Sequence, residues 1–327
     1  MIADIRTRTE VPLSNATNQT DVNPWQWPEE TWRYHAGKIR AGRKLGPTAW
    51  PNGARCAVAL SFDPDHETIA MRDGDTGVGV LARGEFGSRR GSVRILELLE
   101  RHRIPATFFM PAVSALLHPQ EIASYASAGH EIGAHGWIHE RNLLLPPADE
   151  RDLAFRALDV LKSLSGQRPI GIRTPSADFS DATLDIIIES GLIYDSSLMA
   201  DDDPYELVAN GRPTGIVELP MEWIRDDAPY FNMDRYGSAR PYMAPRDWIQ
   251  IQIDEFDGAY RDGGVYQLTC HPHIIGYRSR ISPMDEFCAY MAKHSDVWFA
   301  THGQIASFLA EEFNVVPDSA AKNLEAT

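Results

Sequence analysis

The stretch AVALSFDPDHET, residues 57–68, places three acidic side chains and a histidine directly after a hydrophobic run. The run has the length and composition of a buried β-strand. The carboxylates of Asp63, Asp65 and Glu67 repel one another unless water solvates them or a cation neutralises them. The sequence therefore allows two interpretations of this strand end, a polar turn in water or the binding site of a positive ion.

Residues that can do chemistry follow other strand-like segments as well. The segment HEIGA is followed by two histidines, PIGI by an arginine and a proline, LIY by an aspartate and VYQLTC by two histidines. In parallel α/β barrels the loops at the carboxyl ends of the strands form the active site. We therefore expect one site that gathers these residues: His135, His139, Arg173, Pro175, Asp195, His271 and His273.

His135 and His139 have the spacing of a metal-binding pair. Residues four apart lie on one side of a turn or helix, so both imidazoles can reach one ion. Two histidines and one carboxylate form a ligand set that leaves positions open for water and substrate. One of Asp63 and Asp65 would bind the ion, and the other would stay free as a base. The set suits zinc, cobalt, nickel or manganese, and we expect one divalent ion, zinc by default.

The elements that must position these residues alternate along the chain from Arg55 onward. Hydrophobic runs such as CAVALSF and VYQLTC alternate with helical patterns such as SVRILELLERH and DLAFRALDVLKSLSG. This alternation is typical of a mostly parallel sheet covered by helices. About seven such units in roughly 260 residues predict a closed or nearly closed α/β barrel.

The predicted barrel leaves two terminal segments. Residues 1–53 form an irregular arm with several tryptophans, which we expect to pack on the barrel or on a neighbouring subunit of a homo-oligomer. The catalytic domain is expected to span residues 54–316. Residues 317–327 are small and polar, and we expect a disordered tail there.

Composition narrows the partners and the compartment. The formal net charge of −15 argues against nucleic acid or an anionic membrane as a partner. The amino-terminal sequence has no apolar segment of a secretory signal, and no run of about 18 apolar residues predicts a membrane span. The three cysteines do not form a disulfide framework. We therefore expect a cytoplasmic protein whose partner is a small-molecule substrate.

The motifs, in this order, resemble those of the polysaccharide deacetylase (NodB-like, carbohydrate esterase family 4) superfamily. SFDPD, HGWIH, RTPS and LTCH are similar to its first, second, third and last motifs, over roughly residues 54–313. The stretches YDSSLMADDDPY and ELPMEWIRDDAPYF are similar to an intracellular subgroup with allantoinase-like, cyclic-imidase-like and peptidoglycan-deacetylase-like members. Pro64 between the two aspartates, and Gly136 in place of the usual Ser or Thr, depart from the pattern. The resemblance implies an irregular (β/α)7 barrel.

The resemblance also implies a role for each motif residue at the metal end of the site. Asp65, His135 and His139 would be the metal ligands. Asp63 would be the general base, and Arg173 would hold it in place as a carboxylate.

The remaining roles concern the acid and the pocket. By the same resemblance His271 would be the general acid, and Asp195 is the candidate to orient it. Several further residues near strand ends could bind substrate or line the pocket: His66, Glu67, Pro175, Trp223, Tyr230 and His273.

These parts predict a hydrolase of carbon–nitrogen bonds other than peptide bonds. Metal-activated water would attack an amide carbonyl, Asp63 would take its proton, and His271 would protonate the leaving nitrogen. The missing signal, the aromatic residues near the strand ends and the subgroup resemblance favour a small cyclic amide, imide or ureide. The alternative substrate is peptidoglycan or another N-acetylated glycan. A second alternative is a metal-binding module without activity.

Overall fold

The computed structural model describes residues 23–232 and 243–317, so the predicted tail lies almost entirely outside the described residues. Within this part of the chain, ten strands form one sheet. They are β1 (Ile39–Lys44), β2 (Cys56–Phe62), β3 (Ala106–Met110), β4 (Glu131–Ala134), β5 (Gly171–Ile172), β6 (Tyr194–Asp195), β7 (Tyr205–Ala209), β8 (Arg212–Glu218), β9 (Val265–Cys270) and β10 (Val297–Phe299).

Helices connect and cover the strands. A π-helical turn, Gly87–Gly91, joins the third helix to the fourth. No helix among the described residues is both long and apolar enough to cross a membrane. The helices are α1 (Glu29–Gly37), α2 (Thr68–Arg72), α3 (Val78–Phe86), α4 (Ser92–His102), α5 (Ala112–Leu117), α6 (Pro119–Ser127), α7 (Pro147–Ser165), α8 (Thr183–Ser190), α9 (Ala228–Phe231), α10 (Pro245–Asp262), α11 (Pro272–Ile275), α12 (Arg278–Met291) and α13 (His302–Glu312).

The sheet is mostly parallel and strongly curved, as the alternation predicts. Seven parallel strands follow one another in the order β8-β6-β5-β4-β3-β2-β9, and β10 pairs with the beginning of β2. Between β8 and β9 an isolated parallel bridge joins Asp226 to Thr269. The strands therefore curl into a barrel that is closed only by this isolated bridge between the segment after β8 and strand β9 in the described part of the chain.

Strand β2 lies at the centre of this arrangement. All seven of its residues, CAVALSF, are buried, which explains why the segment is hydrophobic throughout instead of alternating. Helix α4 covers the sheet with an amphipathic face, where Ile95, Leu98 and Leu99 are buried at helical spacing. The continuous hydrophobic run of β2 thus reflects burial on both faces of the strand. The 3.6-residue period of α4 reflects burial on one face of the helix.

Strand β1 was not expected from the sequence. It pairs antiparallel with β7, from Ile39 opposite Ala209, so this part of the predicted arm extends the sheet of the catalytic domain. Its sequence IRAGRK is exposed beyond the first residue and carries no hydrophobic alternation. Charged residues on such an edge strand oppose pairing with other chains.

The fold brings the carboxyl ends of the parallel strands to one edge of the barrel. Strands β2, β4, β5 and β9 each end directly before a residue that the sequence singled out. Because neighbouring strands run in the same direction, their following residues meet above the barrel. The residues that start these loops are Asp63, His135, Arg173 and His271.

Candidate active site and metal centre

Asp65, His135 and His139 form a compact cluster of potential metal ligands, as predicted. Nε2 of His135 lies 3.5 Å from Oδ1 of Asp65, and Nε2 of His139 lies 3.5 Å from Oδ2 of the same carboxylate. All three side chains are buried. Two ligands bound at about 2.0–2.2 Å to one tetrahedral ion lie roughly 3.4 Å apart. The spacing of these atoms therefore fits a single ion between them.

The carboxylate of Asp65 supports this fit independently. Both of its oxygens are buried, and neither has a hydrogen-bond partner among the described residues. Burial raises the pKa of Asp65 well above its usual value, with the neighbouring Asp63 adding to the rise against the opposing charge of His271. A buried carboxylate without hydrogen bonds is costly unless a cation compensates it. The chemistry of this residue thus calls for a positive ion.

Burial favours the neutral form of the two histidines, which is the form that binds a metal. Burial lowers the pKa of His135 to about 4 and that of His139 well below its usual value. Nδ1 of His135 donates a hydrogen bond to the backbone carbonyl of Arg173 at 2.7 Å, so its Nε2 is left free toward Asp65.

His139 has a competing neighbour. Nη1 of Arg72 lies 2.6 Å from Nδ1 of His139, and an arginine can only donate. This contact places the histidine proton on Nε2, whereas metal binding through Nε2 requires the proton on Nδ1. Nη1 of Arg72 would then keep two other acceptors, the Ser176 hydroxyl at 3.1 Å and the backbone carbonyl of His139 at 3.4 Å.

Asp63 is held by Arg173 beside the ligand cluster. Nη1 of Arg173 donates to Oδ1 of Asp63 at 2.9 Å and to the hydroxyl of Ser61 at the same distance. Further donors of the guanidinium reach the carbonyl and hydroxyl oxygens of Ser196. Oδ2 of Asp63 lies 3.9 Å from Nε2 of His135, on the side of the metal ligands. The carboxylate is thus fixed through one oxygen and presents the other to the site.

His271 stands on the other side of the cluster. Its Nε2 lies 3.7 Å from Oδ2 of Asp65. Its Nδ1 donates to Oδ1 of Asp227 at 2.6 Å, and its backbone N–H donates to Oδ2 of the same residue at 3.0 Å. Burial alone would lower the pKa of His271, but the charges of Asp226 and Asp227 outweigh burial and raise that pKa well above its usual value.

The prediction that Asp195 orients His271 is corrected by this geometry. The orienting carboxylate is Asp227, whereas Asp195 accepts hydrogen bonds from the backbone and hydroxyl of Ser197. The segment that carries Asp227 lies directly beside β9, where the backbone N–H of Asp227 donates to the carbonyl of Thr269 at 3.2 Å. Burial raises the pKa of both Asp195 and Glu218, so these adjacent carboxyl groups form a buried acid pair below the Ser197 loop.

His66 and Glu67 each pair with a residue on or beside α6. The side chain of His66 is fully buried, and its Nε2 lies 2.8 Å from Oε1 of Glu121 on α6. Oε2 of Glu67 pairs with Nε2 of His118 at 2.9 Å. These contacts connect the loop after β2 to the beginning of α6, so the two residues hold that loop in place.

The remaining pocket candidates lie at different depths. His273 is buried, and its ring centre is 5.8 Å from that of His271. Pro175 is buried beside the HGWIH turn. Trp223 is 42% exposed, and the hydroxyl of Tyr230 donates to the Ile224 carbonyl at 3.4 Å. His273 is therefore the candidate nearest to the reacting groups.

The glycine in HGWIH has a structural cause. Gly136 has φ +72°, and a Cβ there would lie 2.9 Å from Oε1 of Glu140 and from Cγ of Pro175. Glu140 accepts the backbone N–H groups of Trp137 and Ile138 and thereby shapes the turn between the two histidines. A residue with a side chain at position 136 would displace this turn.

Known proteins with similar sequences and structures include several deacetylases. Residues 80–194 match the sequence model of the polysaccharide deacetylase family. A solved structure from Mycobacterium smegmatis, assigned to the polysaccharide deacetylases, is 32% identical, covers 85% of this chain and 97% of its own, and superposes with a TM-score of 0.77. The Puue allantoinase structure is 25% identical, covers 83% and 98%, and has a TM-score of 0.72. The peptidoglycan deacetylase of Helicobacter pylori is 28% identical over 76% of this chain and 94% of its own.

This chain belongs to the polysaccharide deacetylase family, as its motifs indicate. Its barrel is the irregular (β/α)7 barrel of NodB-type deacetylases. The protein is a hydrolase that acts on carbon–nitrogen bonds other than peptide bonds. Deacetylases of this family depend on a metal, and the cluster around Asp65 supplies residues that fit one.

Proposed function

We propose that the protein is a metal-dependent N-deacetylase of peptidoglycan or another N-acetylated glycan. The main support is the Helicobacter pylori peptidoglycan deacetylase, which aligns over 94% of its own length. The sequence alone favoured a small cyclic amide, imide or ureide, and the relatives support the alternative better. Zinc is the proposed metal, because one carboxylate and two imidazoles are common zinc ligands.

The base side of the mechanism rests on Asp63. Asp65, His135 and His139 would hold a divalent metal, which would supply the activation of water and the polarisation of the acetamide carbonyl. Asp63 accepts the proton of the attacking water through Oδ2, the oxygen that faces the ligands. Arg173 keeps the carboxylate in this position through Oδ1.

The acid side rests on His271. Its Nδ1–H is committed to Asp227, so Nε2 is the atom that can give a proton to the leaving nitrogen. The charges of Asp226 and Asp227 raise the pKa of His271, which favours the protonated imidazole, the form that an acid must have. An amide nitrogen leaves as an amine only after protonation, so this proton transfer is needed for turnover.

The observation that supports amide hydrolysis is that Asp63 and His271 approach one cluster of candidate metal ligands through different members of it. Both side chains approach that cluster, at 3.9 Å from His135 and 3.7 Å from Asp65 respectively. A base and an acid that flank one activated carbonyl suit hydrolysis of an amide. A binding module without activity would have no need of this arrangement.

The test is a hydrolysis assay with metal-loaded protein and N-acetylglucosamine oligomers, including peptidoglycan fragments. We expect release of acetate and a mass loss of one acetyl group per cleaved site. Asp63→Asn, prepared and metal-loaded in the same way, is the control and should release acetate about 10³-fold more slowly. Wild-type protein that binds metal but releases no acetate from any oligomer would contradict the proposal.

A second candidate follows from the Puue allantoinase, whose structure matches over 98% of its own length. The same base and acid could add water across a cyclic amide, imide or ureide. The same assay therefore includes cyclic imides, hydantoins and allantoin. A product heavier than the ring substrate by one water would support this candidate and assign a ring as the substrate.

A further inference from the structure

His302 lies below the site, at the first position of α13. Its side chain is fully buried, with the ring edge-on to Phe109 at 5.2 Å and stacked with Tyr194 at 6.3 Å between ring centres. The helix begins here with a capping box between Thr301 and Gln304. This cap fixes the backbone that carries the imidazole, so the ring has one well-defined position.

The hydrogen bonds on one side of the ring fix its tautomer. The hydroxyl of Thr107 donates to Oε2 of Glu131 at 2.8 Å, and that carboxylate also accepts from Gly303 and Tyr194. The single hydroxyl proton of Thr107 is thereby used. Its oxygen accepts from the backbone N–H of His302 at 2.9 Å, and Nδ1 of His302 lies 3.2 Å from it. Nδ1 must therefore carry the ring proton.

The other ring nitrogen faces the arginine of the site. Nε2 of His302 lies 3.5 Å from Nη2 of Arg173. Burial, with the charge of Arg173, lowers the pKa of His302 well below its usual value, so the ring is neutral. A neutral imidazole with its proton on Nδ1 offers a lone pair on Nε2, which suits a guanidinium donor.

We propose that His302 is a positioning residue for the general base. It acts through Arg173. Nε2 of His302 accepts from Nη2 of that guanidinium, and Nη1 of the same group donates to Asp63. A chain of hydrogen bonds thus runs from Glu131 through Thr107, His302 and Arg173 to Asp63. The inference rests on the proposed roles of Asp63 and Arg173.

The first test compares His302→Leu with His302→Gln in the metal-loaded enzyme. Leucine removes the acceptor, and we expect kcat to fall about tenfold with KM and metal content unchanged. Glutamine keeps an acceptor oxygen and should restore most of kcat. His130→Leu, which removes another buried histidine away from Arg173, is the matched control and should leave kcat unchanged. Equal losses in the leucine and glutamine variants would overturn the proposal.

A double-mutant cycle separates positioning from general loss of structure. In an Arg173→Gln background, His302→Leu should cause little further loss of kcat, because its route to Asp63 is already broken. Two losses that multiply would show that His302 acts by another route. Thermal unfolding of each variant measures any structural effect separately.

The tautomer provides a readout that needs neither activity nor a stable variant. In wild-type protein labelled with 15N-histidine, two-bond nitrogen–proton correlations should show His302 neutral, with its proton on Nδ1, from pH 5 to 8. A proton on Nε2, or a doubly protonated ring, would refute the inference. This result does not depend on the substrate, so it can fail while the proposed deacetylase activity holds.

Discussion

Asp63 and Asp65 are two residues apart, yet their surroundings are opposite. Oδ1 of Asp63 receives a guanidinium, and that guanidinium is itself bonded to Ser61 and Ser196. Both oxygens of Asp65 are buried without a hydrogen-bond partner in the described part of the chain. One carboxylate is held in place by the protein, and the other is prepared for an ion. The contrast supports the proposed roles of Asp63 as base and of Asp65 as ligand without any appeal to the motif.

The largest effect tests the base half of this comparison. Asp63→Asn should reduce kcat by about 10³-fold, since general base catalysis contributes roughly 10²–10⁴. The amide is close to the carboxylate in shape, so metal content measured by elemental analysis should stay at the wild-type level. A near-normal kcat would remove Asp63 as the base.

Metal removal tests the ligand half. Chelation should lower the free energy of unfolding by about 3 kcal/mol relative to protein held at roughly one hundred times the metal dissociation constant. Denaturant unfolding with and without zinc measures this difference. Asp65→Asn should abolish it and Asp63→Asn should retain it. Equal metal stabilisation in both variants would break the comparison.

The acid side offers a matched pair of neighbouring carboxylates. Asp227→Asn should lower kcat at neutral pH by about 10²-fold, because His271 loses its orienting partner and part of the charge that raises its pKa. The protonated imidazole is the proposed active form. As the pH rises, the variant should therefore lose activity at a lower pH than the wild type does. Asp226→Asn, whose carboxylate stands 3.7 Å from the ring, should cost less.

The order of these two effects can be checked in one set of pH–rate profiles. If Asp226→Asn shifted the profile more than Asp227→Asn, the hydrogen bond at 2.6 Å would not be the contact that matters. The pair would then act on His271 by charge alone.

The smallest effect concerns a histidine outside the site and sets a baseline for burial. Burial lowers the pKa of His130 to about 4. Between pH 6.5 and 4 the unfolded chain binds a proton that the folded chain does not, so stability falls as the pH falls through this range. His130→Asn can keep the hydrogen bond from Ala106 and should remove about 2 kcal/mol of this pH dependence. Urea unfolding at pH 7 and pH 4.5 measures it, and identical slopes would contradict the assignment.

Much of the site could be predicted because parallel strands place their carboxyl ends together. The spacing indicated His135 and His139, the resemblance selected Asp65 over Asp63, and the structure places the three side chains around one point. The positions of Arg173 and His271 directly after strand-like segments also predicted that both belong to the site. These predictions needed only the direction of the strands and not their order.

The parts that could not be predicted depend on the strand order. Choosing Asp227 instead of Asp195 as the partner of His271 requires knowing that the segment after β8 lies beside β9, where Asp226 bridges to Thr269. A signal existed, since Asp226 and Asp227 follow the strand segment ELP. Strand β1 was missed because its residues are mostly exposed and charged, so no hydrophobic pattern marks it.

The position of β2 at the centre of the sheet has a consequence for synthesis of the chain. The hydroxyl of Ser61 on β2 donates to the carbonyl of Leu268 on β9, 207 residues later. At about 5–20 residues per second, the ribosome needs roughly 10–40 s to make that interval. During this time one side of a mostly hydrophobic strand has no β9 to pair with, and the proposed acid and base cannot come together. The nascent chain therefore needs protection from aggregation before the last strands emerge, and a fragment that ends before β9 contains no complete site.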